Sequence, residues 1–246
     1  MEMTGLLIAA ARGAEDKEGI WILFVIVGAV IGITLLIFLI FLVISAREKK
    51  RTRQLETVVG EMGLNFQATG DEGLKGRLGS FPLFNVGRKQ ELKNLVLGDT
   101  SQANLALFDF RYVTGHGKHK KTRRQTVVAM EAPELEMPAF NMRPEGMWDK
   151  VGGIFGMQDI DFDEHPDFSS KFVLKGEDEE QVRSYMDQEL LDFFTEHPYL
   201  CCEGRPGAFL YYRRYKRVAP DAQLLQSFLE EGMVVFVALM ERPARA

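Results

Sequence analysis

From Ile20 to Ile44 the chain reads IWILFVIVGAVIGITLLIFLIFLVI, with no charged residue and Thr34 as its one clearly polar side chain. As a helix this stretch rises about 37 Å, more than the roughly 30 Å of bilayer hydrocarbon. Soluble core helices seldom stay apolar on every face for so long. The pattern predicts a transmembrane helix over 20–44. Beyond it Leu55, Val58, Val59 and Met62 recur at helical spacing before Gly63, a suitable C-cap. A helical stalk over 45–63 follows from that spacing.

The period then changes. A Gly-rich stretch to Arg88, with Phe81 and Leu83 around a proline, reads as loops with one or two short strands. KNLVLG (93–98), NLALFDFRYV (104–113) and QTVVAM (125–130) follow as strands. In the second of these, Phe108, Phe110 and Tyr112 alternate with Asp109 and Arg111, which predicts one buried and one solvated face. FNMRP (140–144) adds a strand ended by Pro144, residues 144–155 begin like a helix, and KFVLKG (171–176) is another strand. Glu177 to His197 reads as one helix or two. YLCCEG and AFLYYRRY form a hairpin around Gly204–Gly207, and a final helix starts near Pro220. The MVVFVALM run of that helix is too short to cross a bilayer. Strands precede most helices, so the fold class is α+β: one N-terminal membrane helix, then a mixed domain over 64–246 with antiparallel strands and C-terminal helices.

Charge orients this arrangement. Arg47, Lys49, Lys50, Arg51 and Arg53 crowd the C-terminal end of the apolar stretch, against only Arg12 and Lys17 before it. The positive-inside rule then predicts a single-pass protein of the cell (inner) membrane. Residues 1–19 become a short acidic tail outside, and the domain lies in the cytoplasm. Residues 54–246 carry 23 bases against 30 acids, and an acidic domain below a basic collar argues against general nucleic-acid binding. Within the span Gly28 and Gly32 make a G-x-x-x-G pair, a spacing that lets two helices approach closely and marks a candidate homodimer face. The two cysteines, Cys201 and Cys202, are adjacent; on a strand they face opposite ways, so they read as reduced thiols.

Two clusters are candidates for function. TGHGKHKKTRR, between the long strands, gathers Lys118, Lys120, Lys121, Arg123 and Arg124. With the collar it forms a candidate contact for an anionic lipid surface or an acidic protein partner, although a solvated hairpin end would look the same. It is not a phosphate loop, because Tyr112 stands where the first glycine belongs. DIDFDEHPDF brings Asp159, Asp161, Asp163, Glu164, His165 and Asp167 close in sequence. A calcium loop fails there, since Glu164 replaces the turn glycine and Ser170 the bidentate glutamate. Ile160, Phe162 and Phe168 suit a structural turn instead. The chain has no H-E-x-x-H, G-x-S-x-G or G-x-G-x-x-G motif and no cysteine pair suited to zinc. His165 and His197 each precede a proline and read as turn residues. No catalytic residue, cofactor or metal ligand is assigned.

The strings LFDFRY, QTVV, MPAFNMRPE, DIDFDEHPDFS and FVLKGEDEEQVR, in that order, resemble an uncharacterised family of bacterial single-pass membrane proteins, from about Gly73 to the last helix. The resemblance implies a membrane-anchored domain of bacterial type and supplies no catalytic residue. The residues favour a non-catalytic domain that binds a protein partner or the inner leaflet. The alternative is a metal-assisted hydrolase built on the acidic segment 159–167.

Overall fold

A computed structural model describes residues 2–100, 102–146 and 158–241. The chain divides into two compact units, Met1–Arg51 and Thr52–Ala246. The first consists of one helix. That helix, α1 (Glu2–Glu61), runs unbroken through the apolar stretch, and its last turns belong to the second unit. The residues expected to form a short tail before the span are therefore helical from Glu2 onward. The described side chains from Leu23 to Ile44 are exposed, and the helix is long and apolar enough to cross a membrane.

The second unit is built on one antiparallel sheet, in which the described residues form nine strands. They are β1 (Asn65–Thr69), β2 (Arg88–Asp99), β3 (Asn104–Thr114), β4 (Lys121–Glu131), β5 (Phe140–Pro144), the two-residue β6 (Gln158–Asp159), β7 (Phe172–Gly176), β8 (Cys201–Arg205) and β9 (Ala208–Tyr212). The spatial order is β1-β2-β3-β4-β9-β8-β5-β7-β6. The first four strands form a meander, joined to the rest where Val127–Glu131 of β4 pair with Ala208–Tyr212 of β9. With every pairing antiparallel and the helices covering the faces, the unit is α+β, as the order of strands and helices predicts.

Both faces of the sheet are buried. One carries Leu107, Val128, Met142, Leu174, Cys202 and Tyr211, packed with Leu55 and Val59 of α1 and the apolar sides of the later helices. These are α3 (Pro166–Lys171), α4 (Glu179–Tyr185), α5 (Gln188–Glu196) and α6 (Ala222–Met240). The other face carries Leu95, Phe108, Phe110, Val127, Cys201 and Leu210. It is covered by α2 (Glu72–Arg77) and two 3₁₀ turns, Leu78–Ser80 and Pro82–Asn85, through Leu74, Leu78, Phe81 and Phe84. The two cysteines accordingly enter different cores, both as free thiols.

Aspartates place the helices. Asp71, Asp178, Asp187 and Asp221 each accept a backbone N–H from the first turn of α2, α4, α5 or α6, satisfying a donor that the helix leaves open. Asp187 also explains why the 177–197 stretch is two helices, since its carboxylate starts a new one at Gln188. The short helices α2 and α3 stand where the sequence predicts loops or a turn, and β2 starts at Arg88 rather than Lys93. The helix expected over 144–155 lies, beyond Gly146, outside the described residues; Pro144 ends β5. Helix α6 has the length and composition of a span, yet Leu225, Phe228, Val235, Phe236 and Leu239 bury one side of it in the core.

Candidate functional site

The basic segment between β3 and β4 is tighter than its sequence suggests. Lys118 lies in a 3₁₀ turn (Gly117–His119) and Lys120 follows it, both exposed. Gly115 makes the turn possible: its φ is +69°, and a side chain there would run into the backbone carbonyl of His119. Lys121, Arg123 and Arg124 are not loop residues, as the sequence places them, but the first rungs of β4. They pair with Thr114, Tyr112 and Arg111, because β3 is long enough to carry the ladder that far. Consecutive strand residues point to opposite faces, so Arg123 and Arg124 diverge.

The structure adds a second basic run that the sequence analysis left inside a hairpin. Arg213, Arg214, Lys216 and Arg217 follow β9 and lead into α6. They come alongside β4 because sheet polar groups hold their backbone. The Lys216 carbonyl accepts from the Thr126 amide (3.0 Å), Thr126 Oγ1 accepts from the Val218 amide (2.9 Å), and Gln125 Oε1 accepts from the Tyr215 amide (3.2 Å). Asp109 lies beneath them, only 7% exposed. Its carboxylate accepts from Asn94 Nδ2 (2.8 Å) and from Thr126 Oγ1 (3.1 Å), and it stands 4.0 Å from the Arg217 guanidinium. The solvated face predicted for Asp109 is thus corrected: the β9–α6 segment covers it, and the carboxylate is a tether. At the centre Tyr215 has φ +60°, a left-handed conformation rare for a bulky residue. Its ring lies 3.9 Å from the Arg123 guanidinium carbon and 4.7 Å from that of Arg214, contacts that help hold it there.

A small pocket of about 250 Å³ opens where this segment meets α6. Arg213, Lys216 and Arg217 contribute cations to its wall, and Val218, Leu224 and Phe228 contribute apolar surface. Arg213 is engaged by Glu231 at 2.6 Å. The collar bases Arg47, Lys49, Lys50 and Arg53 are exposed along α1, with Arg51 half-buried.

In the acidic segment the backbone and the apolar side chains do the structural work, with one carboxylate in an ion pair. Asp159 pairs with Lys175 at 2.7 Å, and the Asp161 carbonyl accepts from Arg183 at 2.7 Å. Asp163, Glu164 and Asp167 are exposed. Ile160 and Phe168 are buried, with Phe162 edge-on to Phe168 at 5.7 Å. His165 precedes α3, 3.9 Å from Asp192, and His197 Nδ1 lies 2.7 Å from the Phe193 carbonyl oxygen. Among the described residues no three of His, Cys, Asp or Glu converge as metal ligands. A pocket of about 250 Å³ opens beside the segment, lined by Arg143, Glu145, Asp159, Asp161 and Lys175.

A further polar group, invisible in the sequence, is Glu203 on β8, 1% exposed. Tyr212 O–H donates to its Oε1 (2.7 Å) and the Leu83 amide to its Oε2 (3.0 Å). Burial outweighs those donors and pushes the carboxyl up to about 7. Burial likewise raises the neighbouring Cys201 thiol to about 12. The cavity beside Glu203, bounded also by Asn141 and Arg143, is only about 30 Å³, on the scale of a water molecule and not of a substrate.

No protein-family model and no curated protein matches the chain. One similar solved structure is the crystal structure of the mycobacterial trehalose monomycolate transport factor A. It is 12% identical, with a TM-score of 0.57 over 80% of this chain and 98% of that one. At that identity the likeness is one of fold.

Proposed function

We propose that this protein is a non-catalytic, membrane-anchored domain that works at the anionic inner surface of a bacterial membrane. Residues 20–44 span the bilayer, 1–19 lie outside, and the collar 45–63 leads to a cytoplasmic domain over 64–246. One observation carries this reading: two basic runs distant in sequence, one ending at Arg123 and Arg124 and the other at Arg213–Arg217, meet where Arg123 stacks on Tyr215, in a chain that also has a span-length apolar helix. Bases near such a surface contribute about 1 kcal/mol each. The structural neighbour is named as a transport factor for trehalose monomycolate, which supports an accessory role in moving an envelope lipid rather than in chemistry. The resemblance to bacterial single-pass proteins agrees with it. The Gly28 and Gly32 face is where two such anchors would meet.

Protease access in cells tests the arrangement. In intact spheroplasts the domain should resist external protease and be degraded once the membrane is opened. Digestion in unopened spheroplasts would place the domain on the wrong side and end the proposal.

A further inference from the structure

We propose that the pocket between the β9–α6 segment and α6 binds the phosphate-bearing headgroup of an anionic phospholipid; this rests on the membrane-surface reading above. Three observations within one fold unit lead there. The first is chemical composition: Arg213, Lys216 and Arg217 line a pocket together with apolar Val218, Leu224 and Phe228, the Ser227 hydroxyl and Glu231, whose carboxylate is held by Arg213. A soluble anion needs only the cations. An amphiphile uses both, placing its phosphate on the guanidinium and ammonium groups and its glycerol backbone against the apolar wall.

The second is charge balance at the site. Glu231 matches Arg213, and the buried Asp109 stands 4.0 Å from Arg217. The cationic excess therefore rests on Lys216, whose side chain is exposed. An ammonium on a flexible stem follows a mobile headgroup well, while the two engaged guanidiniums hold a fixed frame. The third is rigidity. The segment that carries the cations is fixed by hydrogen bonds from Thr126, Val218 and Tyr215 and by a strained Tyr215. Leu224, 53% exposed at the rim, supplies apolar surface that a lipid would cover.

The test uses the full chain in phosphatidylcholine nanodiscs, with and without phosphatidylglycerol. Ser227→Cys places a thiol at the pocket and Lys118→Cys one at the hairpin tip, each labelled with an environment-sensitive dye. The native Cys201 and Cys202 are buried and stay unlabelled while the protein is folded. Phosphatidylglycerol should shift the dye at both positions. Lys216→Glu should raise the amount needed at position 227 by about thirtyfold, since this one side chain changes by two charge units near the anionic surface, and leave position 118 little changed. Lys216→Arg should behave like the native chain, which separates charge from folding. A response at 118 but not at 227 overturns the pocket and leaves the surface reading standing. Silence at both overturns the two together. If inorganic phosphate alone, in phosphatidylcholine discs, shifts position 227 as much as phosphatidylglycerol does, the site takes a soluble anion and the lipid assignment is wrong.

Discussion

Raising the pH from about 4.5 to about 7 should weaken the α+β domain, and Glu203→Gln should remove that weakness. In the unfolded chain this carboxyl loses its proton near 4.5, while in the fold burial holds the proton to about 7. Between those values the native state binds the proton and the unfolded state does not, so stability falls as pH rises through the window. Below it, both states are protonated and the contribution is complete. The gap corresponds to about 3 kcal/mol, or roughly 6–12 °C in Tm for a domain of this size. Glutamine fits the same place: its oxygen accepts from the Leu83 amide, and its NH₂ donates to the Tyr212 oxygen. The two proteins should melt alike near pH 4, and the variant should be the more stable by the stated margin near pH 8. Near-UV circular dichroism of the detergent-solubilised full chain, read in the tyrosine region, follows the domain, because all six tyrosines lie between Tyr112 and Tyr215 while Trp21 and its neighbouring phenylalanines belong to α1. If the variant melts in parallel with the native protein across the window, or below it at the alkaline end, then Glu203 is ionised in the fold and its two donors outweigh burial.

Other expectations are more local. Phe168→Ala removes a buried ring stacked 5.4 Å from Phe172 and should cost about 3–5 kcal/mol in a melting experiment. In the native protein calcium, magnesium, manganese and zinc should leave Tm unchanged; a saturable rise abolished by Asp161→Ala would restore a metal site. Asp109→Ala leaves buried Asn94 and Thr126 without an acceptor, at about 1–3 kcal/mol each. It should also expose Arg213–Arg217 to trypsin early, and an unchanged cleavage pattern would show that Asp109 tethers nothing. Cys201 and Cys202 should react with a water-soluble disulfide only after denaturant is added, and modification of the native protein would contradict their burial.

The apolar helix and its collar were legible because both are written contiguously, and a bilayer-length run needs no partner to be recognised. Strand β3 was legible from alternation, and β4, β7 and β9 from short apolar runs bounded by turn residues. The candidate site was only half legible. Lys118 to Arg124 stood out as a charge run, but Arg213 to Arg217 lies some ninety residues away, and only the β4–β9 pairing makes them neighbours. The signal was present in four bases directly after AFLYY, and it passed for the polar end of a hairpin. Asp109 misled for a related reason. Alternation shows that two faces differ in polarity, but not that the polar one meets water; here a backbone segment with its own hydrogen-bonding groups covers it. Glu203 gave no sign at all, since a glutamate beside a glycine is ordinary until the strands around it are known.

The strand order also has a consequence for synthesis. The meander β1–β4 is complete once Glu131 has been made, but the partner of β4's outer edge begins only at Ala208. At 5–20 residues per second, about 4–16 s pass before β9 is finished. Through that interval Val127–Glu131 present an unpaired, strongly apolar strand edge. On the membrane-anchored reading proposed above, a nascent chain would spend those seconds dispersed in two dimensions, where encounters between identical open edges depend on surface density. Expression level per unit membrane, more than the stability of the finished domain, then sets the yield of correctly folded protein.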